Sequence, residues 1–250
     1  MLLGMRTGAF LALIFVAAAL AAAQSPDTTR PRISVRVITP PPPAADTVLF
    51  HQVAPGTPLL VELTAKSPRI RFDTLFIYSR TDQKDWPYAG LPLDTSFEAV
   101  FQPVYPELAI PHQEPELFAA KRMVLDAAHI GYLLRVPGMY EPSRLDLWIY
   151  DARATRFAAP IEVAGSWGDA GCGFDLEALL IHSPTGVLQL VTHRNTGCVD
   201  IETGRTKSNV DSIWVRTWAA GGFTLPRASS DSTLLSLLKA RHRRLQSEVP

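Results

Sequence analysis

The side chains able to carry chemistry in this sequence crowd around its two cysteines. Asp169, Asp175, Asp200 and Glu202 flank Cys172 and Cys198, and His182 and His193 lie between them. Carboxylates beside imidazoles are the usual materials of acid–base catalysis, and two histidines with one acid can form a metal triad. A bridge between Cys172 and Cys198 would draw Asp169, Asp175, His182, His193 and Asp200 into one polar cluster, as a secreted hydrolase would need. The spacing of the residues is less encouraging. Ser166 lacks the flanking glycine pattern of a nucleophile elbow, and no Lys-Ser or Lys-Thr pair follows the glycines as in a phosphate loop. The regularly spaced acids of a calcium loop are missing, and two cysteines alone fall short of tetrahedral zinc. The expectation is therefore no catalytic set, no metal and no cofactor. The glycine cluster at 165–173 reads as an irregular loop tied down by Cys172.

Three aromatics in loop-like segments, Trp86, Tyr88 and Trp167, are candidates for ligand contact, because indole and phenol rings give much contact area at small entropic cost. A protein or a glycan is the kind of partner they imply. Nucleic acid is not, since 24 basic residues balance 24 acidic ones and no basic face is available for phosphates.

The elements that must position these groups begin after a leader. Arg6 precedes an apolar run over 9–20, and Ala21, Ala22 and Ala23 supply the small residues of a cleavage site, so 1–23 reads as a signal peptide. The apolar run is short for a bilayer span, which takes about 20 residues, so no transmembrane segment is expected after cleavage. Two cysteines in an exported chain predict one disulfide, closing a loop worth roughly 3.5 kcal/mol in the chain-entropy picture. The prolines at 26, 31 and 40–43 make 24–46 a stiff spacer, with room for one edge strand at 33–37.

From Thr47 onward short β-rich runs alternate with Pro, Gly and Asp. VLFHQV and PLLVELTA read as two strands around a turn at 54–57, followed by FDTLFIYS, a loop holding Trp86, and FEAVF. In strand rhythm 47–110 resembles a bacterial immunoglobulin-like or fibronectin-type module, which implies an independent β subdomain. A proline-broken connection follows, then PELFAAKRMV, with either a short helix or a strand in prospect. HIGYLLRV and LDLWIYD read as strands.

Trp148, Phe157 and Pro160 recur 66 residues later as Trp214, Phe223 and Pro226. Two copies are too few for a propeller, so the echo predicts two similar hairpins in one sheet system. Between them, EALLIH and VLQLVTH flank SPTG as a further hairpin with apolar groups on both faces. The disulfide-containing β subdomain is thus expected over 111–228.

Asp231 is placed to cap a C-terminal helix over 229–250. Leu234, Leu237, Leu238 and Leu245 form its stripe, and its late basic residues suit the negative helix end. The stripe is expected to pack on the β-domain, with contact to an anionic membrane surface as the alternative.

The expected fold is all-β: antiparallel, sandwich-like sheets, in up to two subdomains, with a C-terminal amphipathic helix. The expected function is that of a secreted or periplasmic non-catalytic module for binding or envelope association. A secreted hydrolase with its acid and histidine groups around the cysteine loop is the rival.

Overall fold

The computed structural model describes residues 53–80, 85–109, 116–137 and 144–247. The leader, the spacer and the strand expected at 33–37 lie outside them. Twelve strands follow in chain order: β1 (Thr74–Ile77), β2 (Leu91–Pro92), β3 (Phe118–Val124), β4 (His129–Val136), β5 (Arg144–Asp151), β6 (Arg156–Phe157), β7 (Ile161–Asp169), β8 (Cys172–His182), β9 (Leu188–Val199), β10 (Thr206–Ala219), β11 (Gly222–Phe223) and β12 (Arg227–Ser229). Every named strand pair is antiparallel, and the main path runs β11-β10-β9-β8-β7-β5-β4-β3-β2. The fold is all-β, with a C-terminal helix α3 (Ser232–Ser247).

The sheet turns a corner at β7. The first part of that strand pairs with β5 through Ile161 and Ala164, and Gly165 onward pairs with β8. A register shift beside Leu145 and three consecutive buried residues, Val163, Ala164 and Gly165, mark the bend. Strands that change layers in this way make the corners of orthogonally packed sheets. Because β7 leaves β8 after Leu176, β1 takes the vacated edge, pairing Thr74–Ile77 with residues 178–181.

The two halves enclose one apolar interior. Leu133, Leu147 and Ile149 reach it from one half, and Ala178, Leu180 and Leu190 from the other. Alternation sends their neighbours outward to two further clusters. Tyr132, Leu134 and Trp148 are covered by helix α1 (Pro58–Lys66), the short helix α2 (Glu98–Phe101) and the 3-10 turns beside it. Leu179, Val191 and Ile213 are covered by α3 through Leu234, Leu235 and Leu238. Away from the corner, the sandwich is closed by a carboxylate. Asp126, in the β3–β4 turn, accepts from Trp218 Nε1 on β10 at 3.1 Å, and His129 meets the same indole edge-on at 5.3 Å.

Residues 47–110 do not form the immunoglobulin-like β module expected of them. PLLVELTAK is helix α1, because Leu59, Leu60 and Leu63 recur at helical spacing and Pro58 sits in its first turn, where its missing N–H costs nothing. FEAVF is likewise 3-10 and α-helical. Among the described residues of this stretch only β1 and β2 are strands, and both add to the common sheet, while most of VLFHQV lies outside the described residues; residues 46–250 cluster as one unit.

Downstream the sequence reading fares better. β3 takes the strand alternative at Phe118–Val124, and β4 is HIGYLLRV itself. The 66-residue echo marks two small hairpins, β5–β6 and β10–β11, but Phe157 pairs with Tyr150 whereas Phe223 pairs with Trp218, so their registers differ. Asp231 does cap α3, accepting from Thr233 N at 2.8 Å. The buried stripe, however, uses Leu235 rather than Leu237, which is 37% exposed.

The glycine cluster is a regular hairpin rather than an irregular loop. Ala170 and Gly171, at φ 48° and 82°, form the two-residue turn between β7 and β8. Positive φ at both centres suits the right-handed strand twist, but an alanine there costs about 1 kcal/mol or more. Ala170→Gly is accordingly expected to stabilise the fold by roughly 1 kcal/mol; urea unfolding would show the midpoint rising.

Candidate functional site

Past the last buried residues, β8, β9 and β10 run on together with the end of β7 as a four-stranded ribbon. No residue of 172–176, 194–199 or 206–212 is fully buried. Cys172 and Cys198 face each other directly across β8 and β9 near its tip and are joined as a disulfide.

The acids and histidines singled out by sequence are strung along this ribbon instead of gathered into a cleft. His182 lies opposite Leu188, at the end of β8 away from the bridge, with its ring stacked on Phe72 at 5.7 Å. His193 lies opposite Glu177, five residues back along β8 and so about 17 Å from His182. Asp175 accepts from Ser166 Oγ at 2.9 Å. Asp169 pairs with Cys172 at the exposed tip. Asp200 holds the β9–β10 turn, accepting from the backbone of Glu202 at 3.1 Å and Thr203 at 2.9 Å. Lys207 lies 3.0 Å from it and, with those N–H groups, keeps its carboxyl below the usual range.

What the fold builds instead centres on His193 alone. Its Nδ1 lies 3.0 Å from Glu177 Oε1 on β8, and its Nε2 lies 2.9 Å from Asp211 Oδ1 on β10. Ionised carboxylates only accept, so the arrangement suits the imidazolium, whose two ring nitrogens both donate. Burial by itself pulls the His193 pKa down, but the two carboxylates reverse that and hold it above 6.5. Asp211 also accepts from Asn195 at 2.9 Å and, from helix α3, Lys239 at 2.6 Å. Burial would raise the Asp211 pKa; these donors together push it far below the usual carboxylate range. The cluster therefore ties three strands to the C-terminal helix.

While protonated, with both N–H groups engaged, the ring has no lone pair to take a proton. Glu177 and Asp211 were missed by sequence reasoning. The available signal was Glu177 itself, a charge at period two from the apolar Leu179 on a strand otherwise read as buried.

A second buried ionic group lies under α2. Asp146, fully buried, accepts from Arg144 Nε and Nη2, both at 3.0 Å, and from Tyr105 Oη at 2.6 Å. Trp148 Nε1 donates to the same phenol at 3.0 Å. Burial and the adjacent Asp146 carboxylate push the Tyr105 phenol well above its ordinary pKa, so it stays a donor. Among the described residues no three His, Cys, Asp or Glu side chains are grouped to hold a metal ion.

Two of the three aromatics proposed as ligand contacts belong to the core. Trp86 is buried, with Nε1 donating to Tyr78 O at 3.1 Å, and Tyr88 is buried with its hydroxyl on Phe76 O. A tryptophan beside Asp, Lys and Pro reads as exposed, but the interior needed its bulk to cover β1. Trp167 is half-buried on the ribbon, paired with Phe174 at 6.2 Å; Arg194 stacks on Phe174 at 4.1 Å.

No known protein family, curated protein or solved structure matches the chain. The disulfide is compatible with an extracellular or periplasmic protein. Among the described residues no helix is long and apolar enough to cross a membrane.

Removing the imidazolium leaves two carboxylates facing each other beneath α3, so His193→Ala should cost about 3 kcal/mol in urea unfolding. The pH dependence has a fixed sign. A histidine pKa raised by folding contributes its full stability below about 6.5, and that contribution fades as pH rises through the folded value. The stability gap between wild type and His193→Gln should therefore narrow from pH 6 toward pH 9; a gap that widens would contradict the assignment.

Proposed function

We propose that the chain is an exported, non-catalytic binding module, secreted or periplasmic, and that the ribbon is its ligand surface. One observation carries the reading: three strands continue well beyond the interior they serve, with half-exposed side chains on a stiffened frame. Burial gives no reason for that length, since every residue of 206–210 is exposed. The stiffening has three parts. The disulfide spans β8 and β9, Asp200 caps the β9–β10 turn, and Asn195 donates to Asn209 Oδ1 at 2.7 Å across β9 and β10. A frame whose rotamers are fixed before binding loses less entropy on complex formation.

The composition suits a protein or glycan partner. Trp167 and Phe174 lie in one cross-strand row with Thr196 and Val210, beside Arg194, and Val210 is 47% exposed. Tryptophan and arginine are the residues that most often carry binding energy at interfaces. The closed hydrogen bonds of His193 and the scatter of the other acids favour binding over hydrolysis.

The test is binding of residues 24–250 to immobilised envelope polysaccharides and envelope proteins by surface plasmon resonance. Val210→Lys and Thr196→Arg should abolish retention of a bound ligand with unchanged circular dichroism. Turnover of chromogenic ester, peptide or glycoside substrates, lost in His193→Gln, would replace this reading with the hydrolytic one.

A further inference from the structure

We propose that the Cys172–Cys198 bridge is a thiol-exchange site, which a dithiol reductant opens while the rest of the fold stands. Position is the first argument. The bridge lies five registered rows beyond Glu177 and His193, the nearest buried pair, or about 17 Å along the strands. None of the three apolar clusters includes a residue of 165–176 or 194–212, so the bridge is outside the packing that holds the sandwich.

Access is the second argument. Cys172 is exposed, and its chain neighbours are Gly171 and Gly173. Across the ladder Gly173 is paired with Gly197, the neighbour of Cys198. On the face of the sulfurs their cross-strand neighbours are the short Asp169 and Ser208, with no residue of an apolar cluster among them, whereas an inert disulfide is ordinarily wrapped by core residues. Exposed disulfides are the ones that exchange.

The chemistry balances with a dithiol as the only co-reactant. A reductant thiolate attacks the exposed Cys172 Sγ, the bond to Cys198 Sγ breaks, and its electron pair leaves on Cys198. The second thiol then attacks the reductant's own sulfur in the mixed disulfide and releases Cys172. Two electrons pass, giving two protonated protein thiols and one reductant disulfide. Asp169, paired with Cys172, opposes the approach of any anion. Its removal should thus speed the first step.

Opening the bridge leaves the tip on non-covalent ties alone: the strand ladders, Val199 N to Gly171 O at 2.7 Å and the Asp200 turn. The ribbon end is then expected to fray between 168–175 and 195–211, with the sandwich unaffected.

The experiment treats native full-length protein with dithiothreitol in non-denaturing buffer, alkylates freed thiols, and follows hydrogen exchange by mass spectrometry. Both cysteines should be alkylated while far-ultraviolet dichroism and the cooperative melt persist, with protection lost only in the two tip segments. Asp169→Asn should raise the alkylation rate about twofold, the size of one screened charge near the sulfur. The double variant Cys172→Ser, Cys198→Ser should reproduce the exchange pattern of the reduced chain. Thiols that appear only as the fold melts would overturn the proposal, as would a reduced chain with unchanged tip protection. A double variant that fails to fold would overturn it too, by making the bridge a global staple.

Discussion

One strand has to serve two sheets at once, and most of the architecture follows from that constraint. β7 gives its first residues to β5 and its last to β8, so each partner is left with an unpaired stretch. On β8 the gap is filled by β1, which brings the preceding helical segment back to the sheet. At the bend Val163, Ala164 and Gly165 are buried in succession, and the change of partner from β5 to β8 falls between the last two. The bend also sends the end of β7 away from the interior, and that is why the ribbon overhangs it.

Charge at the two buried carboxylate-centred clusters is handled by saturation. Asp146 takes donors from Arg144 and Tyr105, and His193 donates to Glu177 and Asp211, so neither buried centre keeps an unmet valence. A single charge in such a place would be expensive, and its removal from a completed pair more expensive still. Saturation comes at the expense of reactivity, because a group with every hydrogen bond in use has nothing to offer a substrate. Lys239 extends the same logic to the C-terminal helix, which is held by a charge as well as by leucines.

Much of the sheet was legible because its signals are local. The short apolar runs HIGYLLRV and RLDLWIYD become β4 and β5, buried on both faces, and the SPTG turn between two apolar runs marks β8 and β9. The N-terminal third was misread where two patterns overlap. PLLVELTA has leucines that suit either a strand or one face of a helix, and Pro58, which decides between them by opening the helix, was read as the first residue of a strand. The site was less legible still. Which residue faces His193 depends on the register of three strands, and a shift by one residue would send each side chain to the opposite face. Asp211 reaches the ring from a diagonal position that no linear spacing reveals.

Asp126 points to how the chain must come together in time. Its carboxylate shapes the β3–β4 turn through Ala128 N and His129 N, yet one oxygen also receives Trp218, 92 positions later. The sandwich cannot shut until almost the entire chain is present. Contacts of such long sequence separation slow folding and leave strand edges uncovered in the interval. A chain of this topology therefore stays open for most of its synthesis, a state in which a translocation channel could accept it and an aggregate could capture it.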